Sequence, residues 1–224
     1  MITTLDVETT FHVGETKRTD PTPFHPNNRL VSVQYNTCQD LEPKFVWFYH
    51  EKKNPDLPVA HSQVQQILNN TTLLIGHNIK FDLVWLWESG FSYSGRVYDT
   101  MIGEYLLLKG QKFSLSLHDS CIRRKVSLKK SDLTKDYLTR GVGFDRMPCE
   151  IVEEYGLADI VSTRELYEHQ QKLFKNSVME KHLKLMNGFL FTLATIERNG
   201  IKIDLQALQD VKQDYRKEKL QLER

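Results

Sequence analysis

The stretch ITTLDVETTF, residues 2–11, decides how the rest of the chain is read. It opens on β-forming residues and then sets Asp6 and Glu8 two positions apart. Successive strand side chains point to opposite faces, so residues i and i+2 share one side. Two carboxylates placed there repel each other. On a solvated face water relieves the repulsion and the pair means nothing further. On a covered face the relief must come from elsewhere, and oxygen-rich carboxylate pairs are what Mg²⁺ and Mn²⁺ prefer. Further ligands along the chain would decide between the two.

Outward from that strand, residues 14–28 (GETKRTDPTPFHPNN) are rich in Pro, Asn and Thr and read as a long connection. Residues 29–36 (RLVSVQYN) and 44–49 (KFVWFY) are two short β runs around a turn-like QDLEP, and with the first strand they predict an antiparallel meander. The chain then alternates. Residues 59–68 have helical spacing, 71–76 (TTLLIG) form a short apolar strand, 79–88 are helical, 95–99 (GRVYD) are another strand, and a helix follows over about 100–108. Such alternation predicts a mixed sheet with helices packed on it, an α/β fold. From Leu115 the signals are helical, in LSLHDSCIRRK, in SDLTKDYLTR and in a long run from Pro148, suited to a first helical position, to about Phe174. Residues 180–198 form an apolar-periodic helix, RNGIKID breaks it and adds a short extended piece, and residues 205–224 are a polar helix. That helix ends on QLER with no stop signal, so a fragment or a split-gene subunit is expected.

Composition limits the function classes. Lys plus Arg (30) nearly cancel Asp plus Glu (29), with 40% hydrophobic and 26% charged residues, so an ordinary globular chain is implied and any nucleic-acid site must be local. Cys38, Cys121 and Cys149 are widely spaced with no C-x-x-C, which supports neither a disulfide framework nor a zinc knuckle. No basic-then-apolar leader and no long apolar window occurs, so no membrane partner is expected and the cytoplasm is the expected location. The run RRKVSLKK, residues 123–130, puts five cations into eight positions, read either as a solvated helix end or as a track for a nucleic-acid backbone. His77 and His118 lack the spacing of metal ligands and read as structural or surface residues.

Two more acidic positions bear on the opening pair. In GHNIKFDL a strand runs into a helix whose first turn holds Asn78, Phe81 and Asp82; Asn78 suits an N-cap, and Asp82 alone is a dipole-favoured acid. In EEYGLAD, Tyr155 and Asp159 stand at i and i+4 and share a helix face. Each is commonplace alone. Taken in order, D-x-E-T (Asp6, Glu8, Thr9), N-x-x-F-D (Asn78, Phe81, Asp82) and Y-x-x-x-D (Tyr155, Asp159) resemble the three motifs of the DnaQ-like, or DEDD, 3'-5' exonucleases, in the subtype with tyrosine in the third motif. VYDTMIGEYLL around Asp99 and SLSLHDSCIRRK resemble the intervening segments of the proofreading domain of family A, DNA polymerase I type, enzymes. LATIERNGIKIDLQAL resembles the link from that domain to the polymerase thumb.

The resemblance implies a ribonuclease H-like sheet flanked by helices, with an exonuclease domain over residues 1–175 and a helical C-terminal extension over 176–224. It implies two divalent ions, Mg²⁺ or Mn²⁺, with Asp6, Glu8, Asp82 and Asp159 as their ligands and Tyr155 orienting the attacking water. Thr9, Asn78 and Phe81, or the loop residue Phe11, would meet the terminal nucleotide. The expected partners are the frayed or single-stranded 3' end of DNA and a polymerase domain or subunit. No palm or fingers motif is present, so this chain by itself is not expected to synthesise DNA. A bacteriophage polymerase is the expected source. Two alternatives stay open: a non-catalytic exonuclease-like DNA-binding module, against which all four acids and the tyrosine argue, and an RNase D-type ribonuclease with the same motifs.

Overall fold

The computed structural model describes residues 1–13, 19–127, 130 and 132–223. Five strands form one sheet in the order β5-β4-β1-β6-β7. The opening stretch is its central strand, β1 (Ile2–Thr9). The meander is present as β1, β4 (Leu30–Thr37) and β5 (Lys44–Trp47), antiparallel throughout, with Asp6 opposite Gln34 and Glu8 opposite Ser32. On the other side β1 pairs in parallel with β6 (Leu73–Gly76), and β6 pairs in parallel with β7 (Arg96–Asp99). Parallel neighbours need crossovers, and the helices α1 (Leu57–Asn70) and α2 (Ile79–Glu88) supply them. The mixed sheet expected from the alternation is the one observed.

Local chemistry sets the helix ends. Asp56 accepts from the Val59 amide to cap α1, Asp99 accepts from Met101 to cap α3 (Thr100–Leu107), and Ser116 accepts from Asp119 to cap α4 (Leu117–Arg124). α5 spans Asp132–Thr139. Pro148 is the residue before α6 (Cys149–Phe174) rather than its first, a displacement of one position. Around the start of the 14–28 connection the structure adds a short antiparallel pair, β2 (His12–Val13) against β3 (Thr19–Asp20), while residues 14–18 lie outside the described set. The expected extended piece after Gly200 carries no assigned strand.

The two faces of β1 diverge. Leu5 and Val7 enter the main core with Val33, Leu83 and Leu86, between the sheet and helices α1 and α2. Asp6 and Glu8 lie on the opposite face, under α6. Helix α6 buries one long stripe, from Val152 through Tyr155, Asp159, Leu166 and Gln170 to Phe174. Two glycines let it sit close. A Cβ at Gly156 would come 2.8 Å from Nε2 of the fully buried Gln34, and one at Gly103 would collide with the Gln170 side chain.

Of the basic run, Arg123 and Arg124 pair with Glu104, which is wholly buried, and Lys130 pairs with Glu154; Leu128 and Lys129 are outside the described residues. Gln170 also donates to Glu104. The two arginines therefore neutralise a buried acid, a structural role neither sequence reading anticipated.

Contacts divide the chain into two compact units, Met1–Ala194 and Thr195–Arg224. The first extends past residue 175 because α7 (Met179–Asn199) sends Leu183 and Leu190 into the cores and Asn187 onto the Asp99 amide. α8 (Leu205–Leu222), capped by Asp204, buries none of its side chains.

Candidate active site

β1, α2 and α6 bring the acids together. Asp6, Glu8 and Asp159 each present a carboxylate oxygen within 4.8 Å of the other two. Glu8 and Asp159 are buried. With Glu8 buried and Asp6 only half-exposed beside α6, water relieves the Asp6–Glu8 repulsion at most in part, so the pair does not stand on an open solvated face. A compact, all-oxygen, multiply negative group is the donor set of a hard divalent cation.

Asp82 is recruited differently. β6 is paired with β1 only as far as Thr4, so the next stretch of β1 lacks a partner on that side. The Val7 amide donates instead to Asp82 Oδ1 at 3.0 Å. Asp82 is 1% exposed; burial, reinforced by the charge of Asp6, lifts its carboxyl well above the ordinary range. It stands beside the three-acid group rather than inside it.

Tyr155 is buried one turn before Asp159, with its hydroxyl hydrogen-bonded to that carboxylate. Burial first, then the charge of Glu8, drives its pKa upward, so the phenol keeps its proton. The Phe144 ring packs on it at 5.6 Å.

The remaining expected residues fall as follows. Thr9 is buried at the end of β1, just past an irregularity in which Glu8 faces Ser32 but Thr9 faces Leu30. Asn78 precedes α2 but makes no capping bond through its side chain; its backbone is left-handed (φ 64°), and its amide donates to Asp99 Oδ1 at 2.9 Å. The N-cap expectation for Asn78 is thereby corrected: a cap needs extended dihedrals, and the buried Asp99 holds this residue elsewhere. Phe81 packs half-buried against the main core. Phe11 lies half-buried near Gly143. His77 bridges Thr100 Oγ1 at 2.9 Å and the Leu115 carbonyl at 2.8 Å, a structural brace.

Sequence reasoning missed Gly156, Gln34 and Phe144, and met Asp99 only as part of a family-like segment, without its role. Gly156 had a signal, since a glycine inside a strongly helical pattern marks close packing. Gln34 and Phe144 had none, because their importance lies in contacts distant along the chain.

The mixed five-stranded sheet with helices on its faces is a ribonuclease H-like fold, here with carboxylates gathered on the central strand. Residues 14–175 match the 3'-5' exonuclease family, and the chain belongs to that family. The match contains Asp82, Tyr155 and Asp159, while Asp6 and Glu8 precede it and are tied to the site by geometry. DNA polymerase I of Borreliella burgdorferi is 27% identical over 136 residues, and that of Chloroflexus aurantiacus 26% over 140. Each alignment covers 60% of this chain but 14% of the polymerase, so the chain spans a small part of those relatives. Among solved structures, Brucella melitensis NrnC with bound Mg²⁺ shares the fold, with a TM-score of 0.62, 19% identity and coverage of 91% of this chain and 89% of that one. Among the described residues no helix is long and apolar enough to cross a membrane.

Proposed function

We propose that the chain is a metal-dependent 3'-5' exonuclease acting on DNA, the editing portion of a DNA polymerase I-type enzyme. The observation that carries the reading is the convergence of Asp6, Glu8 and Asp159 within 4.8 Å in a member of the 3'-5' exonuclease family. Kinship with two DNA polymerases supports DNA as the substrate and a polymerase domain as the partner.

Two divalent ions, Mg²⁺ or Mn²⁺, would supply an acidified water and positive charge against the phosphate when bound. Asp6, Glu8, Asp82 and Asp159 would hold them, and Asp82, its Oδ1 committed to Val7, would have its other oxygen left for that role. Tyr155, kept neutral by burial and by Glu8, orients the attacking water through its hydroxyl without having to ionise. Thr9 and the exposed Asn78, held in its left-handed conformation by Asp99, meet the terminal nucleotide. A recessed site admits a frayed end at lower cost than a paired one. Mispaired termini are thus favoured by a difference of at most a few kcal/mol per opened step.

The test compares 5'-labelled single strands of DNA and RNA with hairpins carrying matched or mispaired 3' ends, in Mg²⁺ and in EDTA. Stepwise shortening of DNA from its 3' end, faster at mispairs and absent in EDTA, is the expected result. Degradation of RNA alone would move the chain to the RNase D-type reading. Binding without cleavage of either polymer would make it a non-catalytic module.

A further inference from the structure

A second concavity of the first unit lies away from the acids. It is a groove of about 1260 Å³ between the edge strand β7, the end of α6 and the first turns of α7. Small-molecule sites run about 300–1,000 Å³, so the groove suits a length of chain better than one compact ligand. Arg96, Lys172, Lys175 and Lys184 line it against a single acid, Glu180, which already pairs with Lys184 at 2.7 Å. Arg96, Lys172 and Lys175 are exposed and have no acidic partner among the described residues. The lining thus carries a net charge of +3 (four cations, one acid) on a chain whose total is +1. That concentration is complementary to a polyanion.

We propose that this groove is a second binding site for single-stranded nucleic acid, separate from the carboxylate site. The strand register gives the separation. Ile2 pairs with Leu73 and Leu73 with Arg96, so Arg96 stands two strands across and four residues back from Asp6. With spacings of about 4.8 Å between strands and 3.3 Å along them, the backbone distance is roughly 16 Å. A strand engaged at the acids reaches that far within a few nucleotides. Arg96 opens β7 while Lys172 and Lys175 stand at the end of α6, so the cations line the groove from two elements, and a positively charged groove is what holds a phosphate backbone. The exposed Gly188, where an added Cβ would meet nothing within 4 Å, leaves room for it. The identity of the strand as the enzyme's own substrate rests on the exonuclease reading; its binding does not.

The test measures fluorescence anisotropy of a labelled strand of about 20 nucleotides in EDTA, across a salt series, for wild type and the R96Q/K172Q/K175Q variant. Each lost phosphate contact removes about 0.7 from the logarithmic salt slope of single-strand binding, so the slope should fall by about 2 and affinity by at least tenfold. Hydrolysis of a dinucleotide in Mg²⁺, too short to span both sites, should be unchanged. Equal slopes and affinities would overturn the proposal. So would a polyglutamate peptide that binds wild type but not the variant while DNA binding is unaltered, since the groove would then serve an acidic protein. If thermal melting shows the triple variant misfolded, the single variants K172Q and K175Q, both at exposed positions, should each lower the slope by about 0.7. A wild type that binds DNA but never cleaves it would fail the exonuclease reading and leave the groove intact.

Discussion

Tyr155 and Asp82 place opposite demands on burial. For Tyr155, burial protects a phenol that must stay protonated, and its hydroxyl is the part that matters. Tyr155→Phe should therefore leave the melting temperature nearly unchanged and lower kcat roughly 10- to 100-fold, near the bottom of the range for positioned proton-bearing groups because the hydroxyl orients rather than transfers. Steady-state kinetics on single-stranded DNA check this. Asp82 is a carboxyl whose burial raises its pKa, with Asp6 adding to the shift. A carboxyl with a higher pKa folded than unfolded binds its proton more tightly in the native state, so it lowers stability as pH rises from the unfolded range through the folded pKa. Asp82→Asn removes that cost and keeps an oxygen for the Val7 amide. In EDTA the variant should melt higher than wild type at pH 8, with the gain shrinking toward pH 4 and at about 2–4 °C per kcal/mol for a chain of this size. Differential scanning calorimetry across pH reads it; a lower melting temperature for the variant at pH 8 would contradict the burial argument.

At the scale of elements, α6 ties the site together, and its legibility was uneven. The spacing of Tyr155 and Asp159 was plain in the sequence because both stand on one helix face. That this face lies on β1 and not on solvent depends on Gly156 approaching Gln34, a contact across 122 residues that no local pattern announces. Gly156→Ala should destabilise the protein by about 1–3 kcal/mol through overpacking and reduce activity by lifting Asp159 away from Asp6 and Glu8. Thermal melting together with a DNA digestion assay separates it from a neutral change. Asn78 shows the other limit. Its residue type suits an N-cap, but the tertiary bond from its amide to Asp99 selects a left-handed backbone and overrides that preference. The arginines of the basic run were likewise legible as charge but not as partners of Glu104, which becomes their neighbour only when α3 and α4 fold together.

For the whole molecule, the mixed character of the sheet was readable because alternation of period marks which elements are strands and which are crossovers, whereas the order of the strands was not stated by any local pattern. The extent of the first unit was not readable, since α7 looks like any amphipathic helix until Leu190 is seen in the core and Asn187 on Asp99. α8 buries no side chain, so a chain ending at Asn199 should retain the wild-type melting temperature within about 2 °C, a shift worth no more than roughly 1 kcal/mol, and should cleave DNA at the wild-type rate. Loss of either would assign the second unit a part in the first unit's stability or chemistry.

The most direct test of the central claim is the metal dependence of 3'-end cleavage in wild type and in Asp159→Asn. Denaturing gels of a 5'-labelled DNA strand, at increasing Mg²⁺, should show wild type shortening it one nucleotide at a time from the 3' end with activity that rises with Mg²⁺ and saturates. The folded variant should lose roughly a hundred- to a thousandfold of that rate, the scale of a removed group that supports transition-state charge. Metal-independent cleavage by wild type, or cleavage undiminished in Asp159→Asn, would contradict a carboxylate-held metal site built from Asp6, Glu8 and Asp159.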